Sequence, residues 1–475
     1  MGNKRIFTQF PGVFWTANTL ELFERWAYYG IFNLLALYLT NSTESGALGF
    51  TQVQKGLIMG IVNAILYFLP VVTGSIADRF GYKRVLIIAF VILSSGYYLM
   101  GQVSSFTFVF ITFFYVAIGA ALFKPIISAT IAKTTNNRTS SLGFGIFYMM
   151  VNIGGLVGPY VGSELRERSW NYVFIMSAAA ILFNLVLVIL LYKEPDRNNK
   201  LLEPLGKALK GSLLNIWYAV KDFKFLLFLL IIGGIWTIFW QLFYSLPVFI
   251  EQWSNTHHLY NFLHQHLPFL ARVLGTSDGI ILPEKLIMLD AFFIVLFQVI
   301  VSSLVRKFKP LLSMIAGIII NTAGIAFAFI TMNPFLLVLS IFIFGIGEMI
   351  FSPKILEYIA RIAPRDKSAL YMGAQFVSIA LGNFLGGFLS GGLYDRLANR
   401  DRFLESYTGE FGIASLEGLS REEINSTLWQ HYHPEKFGFT LLAIGLATAF
   451  LLILYNYFLS SDQTGGEKTD QYYNT

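Results

Sequence analysis

The sequence predicts an all-α membrane protein with twelve transmembrane helices arranged as two six-helix bundles. Its 475 residues are 55% hydrophobic and only 13% charged, whereas soluble globular chains carry about 25% charged residues. Apolar runs of the roughly 20 residues that cross a bilayer recur along the whole chain. A pattern of glycine, phenylalanine and proline in the first half returns in the second. Composition and run length predict the spans, and the repeat predicts the two bundles.

The apolar runs are continuous, and this predicts helices. Strands of a membrane barrel would instead alternate apolar and polar residues over about ten positions. The predicted spans cover residues 13–39, 51–77, 84–103, 106–132, 142–165, 170–192, 224–249, 286–305, 311–331, 334–361, 368–396 and 437–460. The chain contains no cysteine, so disulfides and thiolate chemistry are excluded.

Lysine and arginine are distributed unevenly over the connections between the spans. When the N-terminus is placed in the cytoplasm, the cytoplasmic connections hold most of these residues and the short outer loops hold very few. This is the asymmetry described by the positive-inside rule. We therefore expect a multi-pass protein of the plasma membrane, the inner membrane in a bacterium, with both termini cytoplasmic. The positive net charge is explained by the basic residues of the cytoplasmic connections, which set the orientation of the protein. No nucleic-acid partner is predicted.

The longest basic connection follows the sixth span and predicts the domain division. Residues 1–192 would form an N-terminal bundle, 193–223 a cytoplasmic linker and 224–475 a C-terminal bundle, called here the N-terminal and C-terminal halves. The C-terminal half carries long outer loops at 250–285 and 397–436. The middle of the linker is amphipathic, so we expect it to lie along the membrane surface.

Internal repetition supports the division into halves. GAALFKPII (119–127) matches GEMIFSPKI (347–355) at an offset of 228 residues, with Gly, Phe and Pro coinciding. The same offset relates two further pairs of glycines: Gly154 with Gly382, and Gly158 with Gly386. Small residues at this spacing let helices approach closely. Two six-helix halves with a substrate path between them is the plan of the major facilitator superfamily.

The stretch ELFERWAYYG places charged side chains inside the first span. Charges at this depth cost several kcal/mol, usually face the bundle interior and mark ion or substrate pathways. At about 100° per residue, five polar residues share an arc of roughly 140°: Glu21, Glu24, Arg25, Tyr28 and Tyr29. We interpret this face as the wall of a cavity. The alternative is that the charges only join neighbouring helices.

Two more ionisable residues lie at comparable depth, Lys124 in the fourth span and Glu348 in the tenth. With a rise of ~1.5 Å per residue, all five charged groups fall within about 10 Å of one plane. Three carboxylates face two cations, so one carboxyl could hold a proton. All six histidines lie in the outer loops, and a proton relay inside the membrane must therefore use carboxyl groups. The histidines could bind a metal, but their spacing also fits solvated loops.

Four motifs resemble the proton-dependent oligopeptide transporter (POT) family of this superfamily. ELFERWAYYG is similar to its ExxERFxYYG motif, and FYMMVNIGGLVGP (147–159) is similar to its FYxxINxGSL motif. GSIADRFGYKR (74–84) resembles the superfamily's GxxxDRxGRK loop, and GEMIFSP (347–353) resembles the family's GExxxSP. The resemblance implies a symporter that works by alternating access. Its coupling ion would be the proton, with no other cofactor, and we expect a monomer.

The resemblance implies a proton-coupling set and a substrate site. The proton-coupling residues would be Glu21, Glu24, Arg25, Lys124 and Glu348, with Lys124 pairing with Glu348 across the two bundles. The substrate site would be lined by Arg25, Tyr28, Tyr29, Tyr67, Lys124, Asn152, Trp240, Asp290 and Glu348. Arg25 would meet the substrate's carboxylate, and Asn152 would lie near its backbone or amino end. Asp78 and Arg79 would serve the cytoplasmic gate.

Three positions depart from the family pattern. FWQLFYSLP (239–247) lacks the glutamate that the family carries shortly after FW, and Tyr244 lies near its place. Asp290 in LDAFF replaces the asparagine of LNPLF, and Gln375 in MGAQF replaces the tryptophan of MxxWF. Asp290 could replace the lost glutamate as the anion that faces an ammonium group. It could also be a packing or solvated residue near the outer end of the eighth span.

We therefore predict import of di- or tripeptides or of peptide-like solutes. One alternative is proton-coupled transport of another organic solute, such as an amino-acid conjugate, a nitrate-like anion or a drug. Another is a membrane sensor that transports nothing. A lipid-modifying enzyme would need a nucleophile–base pair or a metal cluster at the membrane surface, and the sequence shows neither. No catalytic or metal-binding residue is predicted.

Overall fold

The computed structural model describes residues 9–136, 139–195, 205–364 and 367–460, and this part of the chain is built from helices. Residues 196–204 of the predicted linker and both ends of the chain lie outside the described residues. The predicted all-α architecture is confirmed. The predicted domain division and the cytoplasmic placement of the termini stay predictions.

Seven helices make up the N-terminal half. They are α1 (Gly12–Thr40), α2 (Gln52–Phe68), α3 (Pro70–Phe80), α4 (Tyr82–Met100), α5 (Phe106–Lys133), α6 (Ser140–Arg166) and α7 (Trp170–Leu191). The predicted second span is divided between α2 and α3, which meet at an angle of 46°. The break falls at Pro70, because proline has no amide proton and its ring crowds the preceding turn.

The linker helix and the C-terminal half follow. Their helices are α8 (Leu205–Val220), α9 (Phe223–Phe239), α10 (Gln241–Tyr244), α11 (Leu246–Trp253), α12 (His257–His266), α13 (Pro268–Leu274), α14 (Pro283–Ile287), α15 (Leu289–Val305), α16 (Pro310–Ala328), α17 (Pro334–Ile362), α18 (Ser368–Phe388), α19 (Tyr394–Leu397), α20 (Arg400–Phe411), α21 (Arg421–Tyr432) and α22 (Lys436–Tyr455). A π-helical turn at Leu389–Leu393 joins α18 to α19. In the predicted seventh span, α9 and α10 together form one span at Phe223–Tyr244, and α11 follows it.

Ten of the described helical segments are long and apolar enough to cross a membrane, or eleven when the bent α2–α3 pair counts as one span. The helix α1 is not among them, although it is 29 residues long. Its buried Glu21, Glu24 and Arg25 lower its mean hydropathy. The twelfth predicted span therefore exists as a helix, and its charges distinguish it from the other spans.

The two regions predicted as outer loops contain helices. The first holds α12 and α13, the second holds α20 and α21, and the two regions contact each other where Asn255 and His258 meet Glu422. Four of the six histidines lie on α12. The prediction that these residues lie in loops is therefore wrong, because their backbone is helical. Within the described residues, no three metal-binding side chains come together.

The repeated glycines occupy equivalent contacts in the two halves. Gly154 of α6 faces α1, where a Cβ at this position would lie 2.7 Å from the carbonyl oxygen of Leu22. Its counterpart Gly382 of α18 faces α9, where a Cβ would lie 2.8 Å from the carbonyl carbon of Trp236. The predicted role of these glycines in close helix packing is confirmed.

The halves also meet backbone to backbone between α2 and α18. A Cβ at Gly60 would lie 2.8 Å from the Cα of Gly387, and a Cβ at Gly391 would lie 3.4 Å from the Cα of Gly56. This seam leaves a cavity beside it, between α1, α2 and α6 on one side and the helices of the C-terminal half on the other.

Candidate functional site

A cavity of about 230 Å³ lies between the two halves. Its wall from the N-terminal half consists of Tyr28, Tyr29, Asn33, Tyr67, Tyr148, Val151, Asn152 and Gly155. Its wall from the C-terminal half consists of Trp236, Phe239, Trp240, Phe243, Ile287, Met288, Asp290, Ala291, Ile294, Glu348 and Ile379. Seven of the nine predicted substrate residues therefore line one cavity. Arg25 and Lys124 lie behind its tyrosine-rich wall.

The charged residues of α1 form one compact buried cluster. Arg25 Nη2 lies 2.5 Å from Glu24 Oε2, and Arg25 Nε lies 3.4 Å from Glu21 Oε1. The guanidinium carbon lies 5.0 Å from the ring centre of Tyr28 and 5.6 Å from that of Tyr29. Arg25 is thus held by two carboxylates and two aromatic faces, as the shared helical face predicted.

Lys124 contacts aromatic rings in this conformation. Its Nζ lies 4.3 Å from the ring centre of Tyr67 and 6.0 Å from that of Tyr28, distances typical of cation–π contacts. The predicted Lys124–Glu348 pair is therefore wrong for this conformation. The physical reason is that each residue has a partner on its own side of the cavity, Tyr67 for Lys124 and Asp290 for Glu348.

Asp290 and Glu348 form a pair of carboxyl groups on the C-terminal wall. Their carboxyl groups lie close together in the wall of the cavity, and Asp290 is only 6% exposed. Gly345, one turn before Glu348 on α17, provides the room, because a Cβ there would lie 2.9 Å from Asp290 Oδ1. The alternative of a solvated Asp290 is wrong. Asp290 faces the cavity, as its proposed contact with a substrate requires.

Tyr244, which lies near the place of the missing glutamate, is fully buried outside the cavity. Its hydroxyl lies 2.6 Å from Asn383 Oδ1 of α18 and 3.1 Å from the carbonyl oxygen of Met59 of α2. Tyr244 therefore joins the two halves and is not among the residues that line the cavity.

Several cavity residues were not predicted from the sequence. Trp236, Phe239 and Phe243 line the wall together with the predicted Trp240. The indole nitrogens of Trp236 and Trp240 are buried without a hydrogen-bond partner among the described residues, so both can donate to a ligand. The spacing at positions i, i+3, i+4 and i+7 could have indicated this shared helical face.

The predicted gate residues lie away from the cavity. Asp78 and Arg79 occur at the end of α3, and Asp78 Oδ1 accepts a hydrogen bond of 2.9 Å from the hydroxyl of Tyr82. The adjoining turn is held by Glu194, whose carboxylate accepts a hydrogen bond of 2.8 Å from the backbone amide of Tyr82. A gating role for Asp78 and Arg79 stays a prediction.

Polar residues join the halves at the end of the bundle where α1 ends, called here the outer side. This outer ion-pair network consists of Asn41, Glu164 and Arg166 from the N-terminal half and Glu251, Glu284 and Lys285 from the C-terminal half. Arg166 contacts Glu284 at 2.8 Å and Glu251 at 3.1 Å, and Lys285 contacts Glu164 at 2.5 Å. The cavity is therefore closed on its outer side by charges that bridge the two halves.

Residues 16–263 and 266–416 match the sequence profile of the Major Facilitator Superfamily. The chain belongs to this superfamily of membrane transporters. Its curated relatives include Dipeptide and tripeptide permease B of Salmonella typhimurium, 24% identical over 468 residues that cover 87% of this chain and 93% of that protein. The protein of the same name from Aliivibrio fischeri is 30% identical over 190 residues, covering 39% of this chain and 37% of that protein. An uncharacterized transporter of Bacillus subtilis, YclF, is 30% identical over 164 residues, so this match spans only 33% of that relative's length.

Solved structures of peptide transporters share the fold. A peptide transporter POT in complex with sulfate superposes with a TM-score of 0.67 at 20% identity, covering 93% of this chain and 96% of that one. A POT family transporter in complex with 5-aminolevulinic acid gives a TM-score of 0.70 at 18% identity, covering 94% and 96%. The POT resemblance seen in the motifs is confirmed by these relatives, and so is the major facilitator fold of a multi-pass membrane transporter.

Proposed function

We propose that the protein is a proton-coupled symporter that imports di- and tripeptides or peptide-like zwitterions across the plasma membrane by alternating access. The observation that carries this proposal is the cavity between the halves, because its two walls differ in charge. Two cations, Arg25 and Lys124, lie behind one wall together with the two carboxyl groups of α1. A second pair of carboxyl groups lies in the other wall without a cation among the described residues. The peptide permeases among the relatives support the same assignment.

The charge arrangement suits a solute with a carboxylate at one end and an ammonium group at the other. The carboxylate would approach Arg25 and Lys124, and the ammonium group would approach Asp290 and Glu348. Each end would gain charge-assisted hydrogen bonds, which are stronger than neutral ones. The volume of about 230 Å³ lies below the ~300–1,000 Å³ of drug-sized sites, and this favours small solutes.

The contacts of Arg25 support the proposed proton coupling. Its Nε donates to Glu24 at 2.6 Å and lies 3.4 Å from Glu21 Oε1, so the guanidinium is held at these two carboxylates while both are ionised. A proton on Glu24 would neutralise one of these acceptors and release donors of Arg25 toward the substrate carboxylate. Binding of the proton would therefore favour binding of the substrate.

Transport assays in proteoliposomes test the proposal. Wild-type protein should accumulate a dipeptide when the outside is acidic. Glu24→Gln should abolish this accumulation and keep exchange of dipeptide across the membrane, because an amide cannot load and release a proton. Glu44→Gln, which changes the same charge at an exposed position outside the membrane, is the matched control. Full accumulation by Glu24→Gln would exclude this role for Glu24.

A second candidate solute is another organic zwitterion, such as an amino-acid conjugate. The departure at Asp290 favours it, because this residue lies in the wall that would meet the amino end. A thermal-shift screen against dipeptides and amino-acid conjugates decides between the two classes, since a bound solute stabilises the native state by mass action. If neither class stabilises the protein and no uptake is measured, the transport proposal fails and a sensor becomes the better assignment.

A further inference from the structure

We propose that Asp290 and Glu348 form a second proton-binding site, in which two carboxyl groups share one proton and present one negative charge to the solute's ammonium group. This inference rests on the proposed transport function and adds a proton site in the C-terminal half. It concerns residues that lie across the cavity from the Glu21–Glu24–Arg25 cluster.

Two buried carboxyl groups that lie side by side require a proton to contact each other favourably. An ionised carboxylate has only acceptor atoms, so two carboxylates cannot hydrogen-bond to each other unless one carries an O–H. Two adjacent buried carboxyl groups also cannot both ionise without strong repulsion. With Asp290 beside Glu348 in the wall of the cavity, one shared proton and a net charge of minus one is the arrangement that satisfies both constraints.

The groups around the pair include no cation that would replace the shared proton by an ion pair. The phenols of Tyr29 from α1 and Tyr148 from α6 face the pair. Glu284 and Lys285 of the adjoining α14 are engaged in the outer ion-pair network. No ion pair within the described part of the chain joins a cation to Asp290 or Glu348.

The pair also has free acceptors for a ligand. Asp290 Oδ1 and Glu348 Oε2 are buried and have no hydrogen-bond partner among the described residues, and both residues line the cavity. One ammonium group would satisfy these two oxygens and cancel the charge that the shared proton leaves. The charges of the pair and of a bound ammonium group therefore cancel only when the pair holds one proton for each ammonium group.

The site therefore adds one proton to the number that crosses the membrane with each solute molecule. The proton enters from water when the cavity opens on the outer side, forming an O–H bond on one carboxyl. It returns to water when the cavity opens on the opposite side and that bond breaks. Nothing is oxidised or reduced, and the proton crosses together with the solute.

Two measurements test this inference. The first is infrared spectroscopy of the purified protein, which detects the C=O stretch of a protonated carboxyl without any transport. Asp290→Asn keeps a donor toward Glu348 through its amide and removes one carboxyl, and Glu348→Gln does the reverse. Each variant should remove one protonated-carboxyl band, whereas Glu357→Gln, on the same helix but paired with Lys354 and Arg361, should keep it. A band that survives both pair variants would overturn the shared proton.

The second measurement is the proton-to-dipeptide ratio, obtained in proteoliposomes from the membrane potential at which net uptake reverses. Asp290→Asn and Glu348→Gln should each lower the ratio by one proton relative to wild type, and the double variant should lower it no further. If the infrared band disappears while the ratio stays at the wild-type value, the proton is structural and the inference is wrong. If wild type moves no dipeptide, the transport proposal fails, and the infrared result alone still decides whether the pair shares a proton.

Discussion

Arg166 connects the halves on the outer side, and its removal should open the cavity there. In Arg166→Ala the outer ion-pair network loses its contacts with Glu284 and Glu251. Glu284 has no exposed side-chain surface, so its carboxylate would remain buried without its cation. The conformation that is closed on the outer side would lose this contact, whereas an open conformation would place the same groups in water.

The magnitude follows from the burial of the two pairs. Removing one partner of a buried ion pair costs about 3–5 kcal/mol, and this range applies to Glu284. The Glu251 side chain is 34% exposed, so its pair contributes at most ~1 kcal/mol. Taking about 3 kcal/mol as the difference between the closed and open conformations, the equilibrium should shift about a hundredfold toward the open one, because ~1.4 kcal/mol corresponds to a factor of ten.

Distance measurements between spin labels on the two halves can detect this shift. The chain contains no cysteine, so cysteines introduced at the exposed positions Glu44 and Glu405 are labelled without background. Arg166→Ala should lengthen the distance between them, and Arg166→Ala combined with Glu284→Gln should recover part of the short distance. Arg361→Ala is the matched control, because Arg361 pairs with Glu357 inside one helix. An unchanged distance in Arg166→Ala, or an equal change in the control, would refute the reasoning.

Three other perturbations test the cavity and the seam between the halves. Lys124→Ala and Glu348→Ala should each impair uptake. In a double-mutant cycle their effects should add within about 0.5 kcal/mol, as expected for residues without contact. A larger coupling energy would show that the two residues pair during transport. In the double variant Asp290→Asn and Glu348→Gln, the affinity for free dipeptide relative to N-acetylated dipeptide should fall about tenfold or more, since a hydrogen bond to a charged group contributes ~1.5–3 kcal/mol. An unchanged ratio would exclude the pair from amine recognition. Gly387→Ala should lower Tm, because its Cβ would lie 2.5 Å from the Cα of Gly60 and overpacking costs about 1–3 kcal/mol, whereas Gly392→Ala, with open space around its Cβ, should leave Tm unchanged.

Features that depend on local patterns could be predicted before the structure was known. The length of the apolar runs predicted the spans, because a helix must satisfy its own backbone inside a bilayer. The arc on α1 predicted that Arg25, Glu21 and Glu24 share a face, because neighbours on one helix keep a set rotation. The offset of 228 residues predicted the repeat, and equivalent glycines do face equivalent helices. The motifs predicted the family.

The side-chain contacts between helices could not be predicted in this way. The sequence places Lys124 and Glu348 at similar depth and predicts that they pair. In the structure, Lys124 instead contacts Tyr67, and Glu348 contacts Asp290. Tyr244 lies near the place of the missing glutamate in the sequence, but its hydroxyl contacts Asn383, outside the cavity. These partners depend on how far each helix is rotated and tilted about its own axis. Packing between distant parts of the chain sets that rotation, and a pattern within one helix cannot express it.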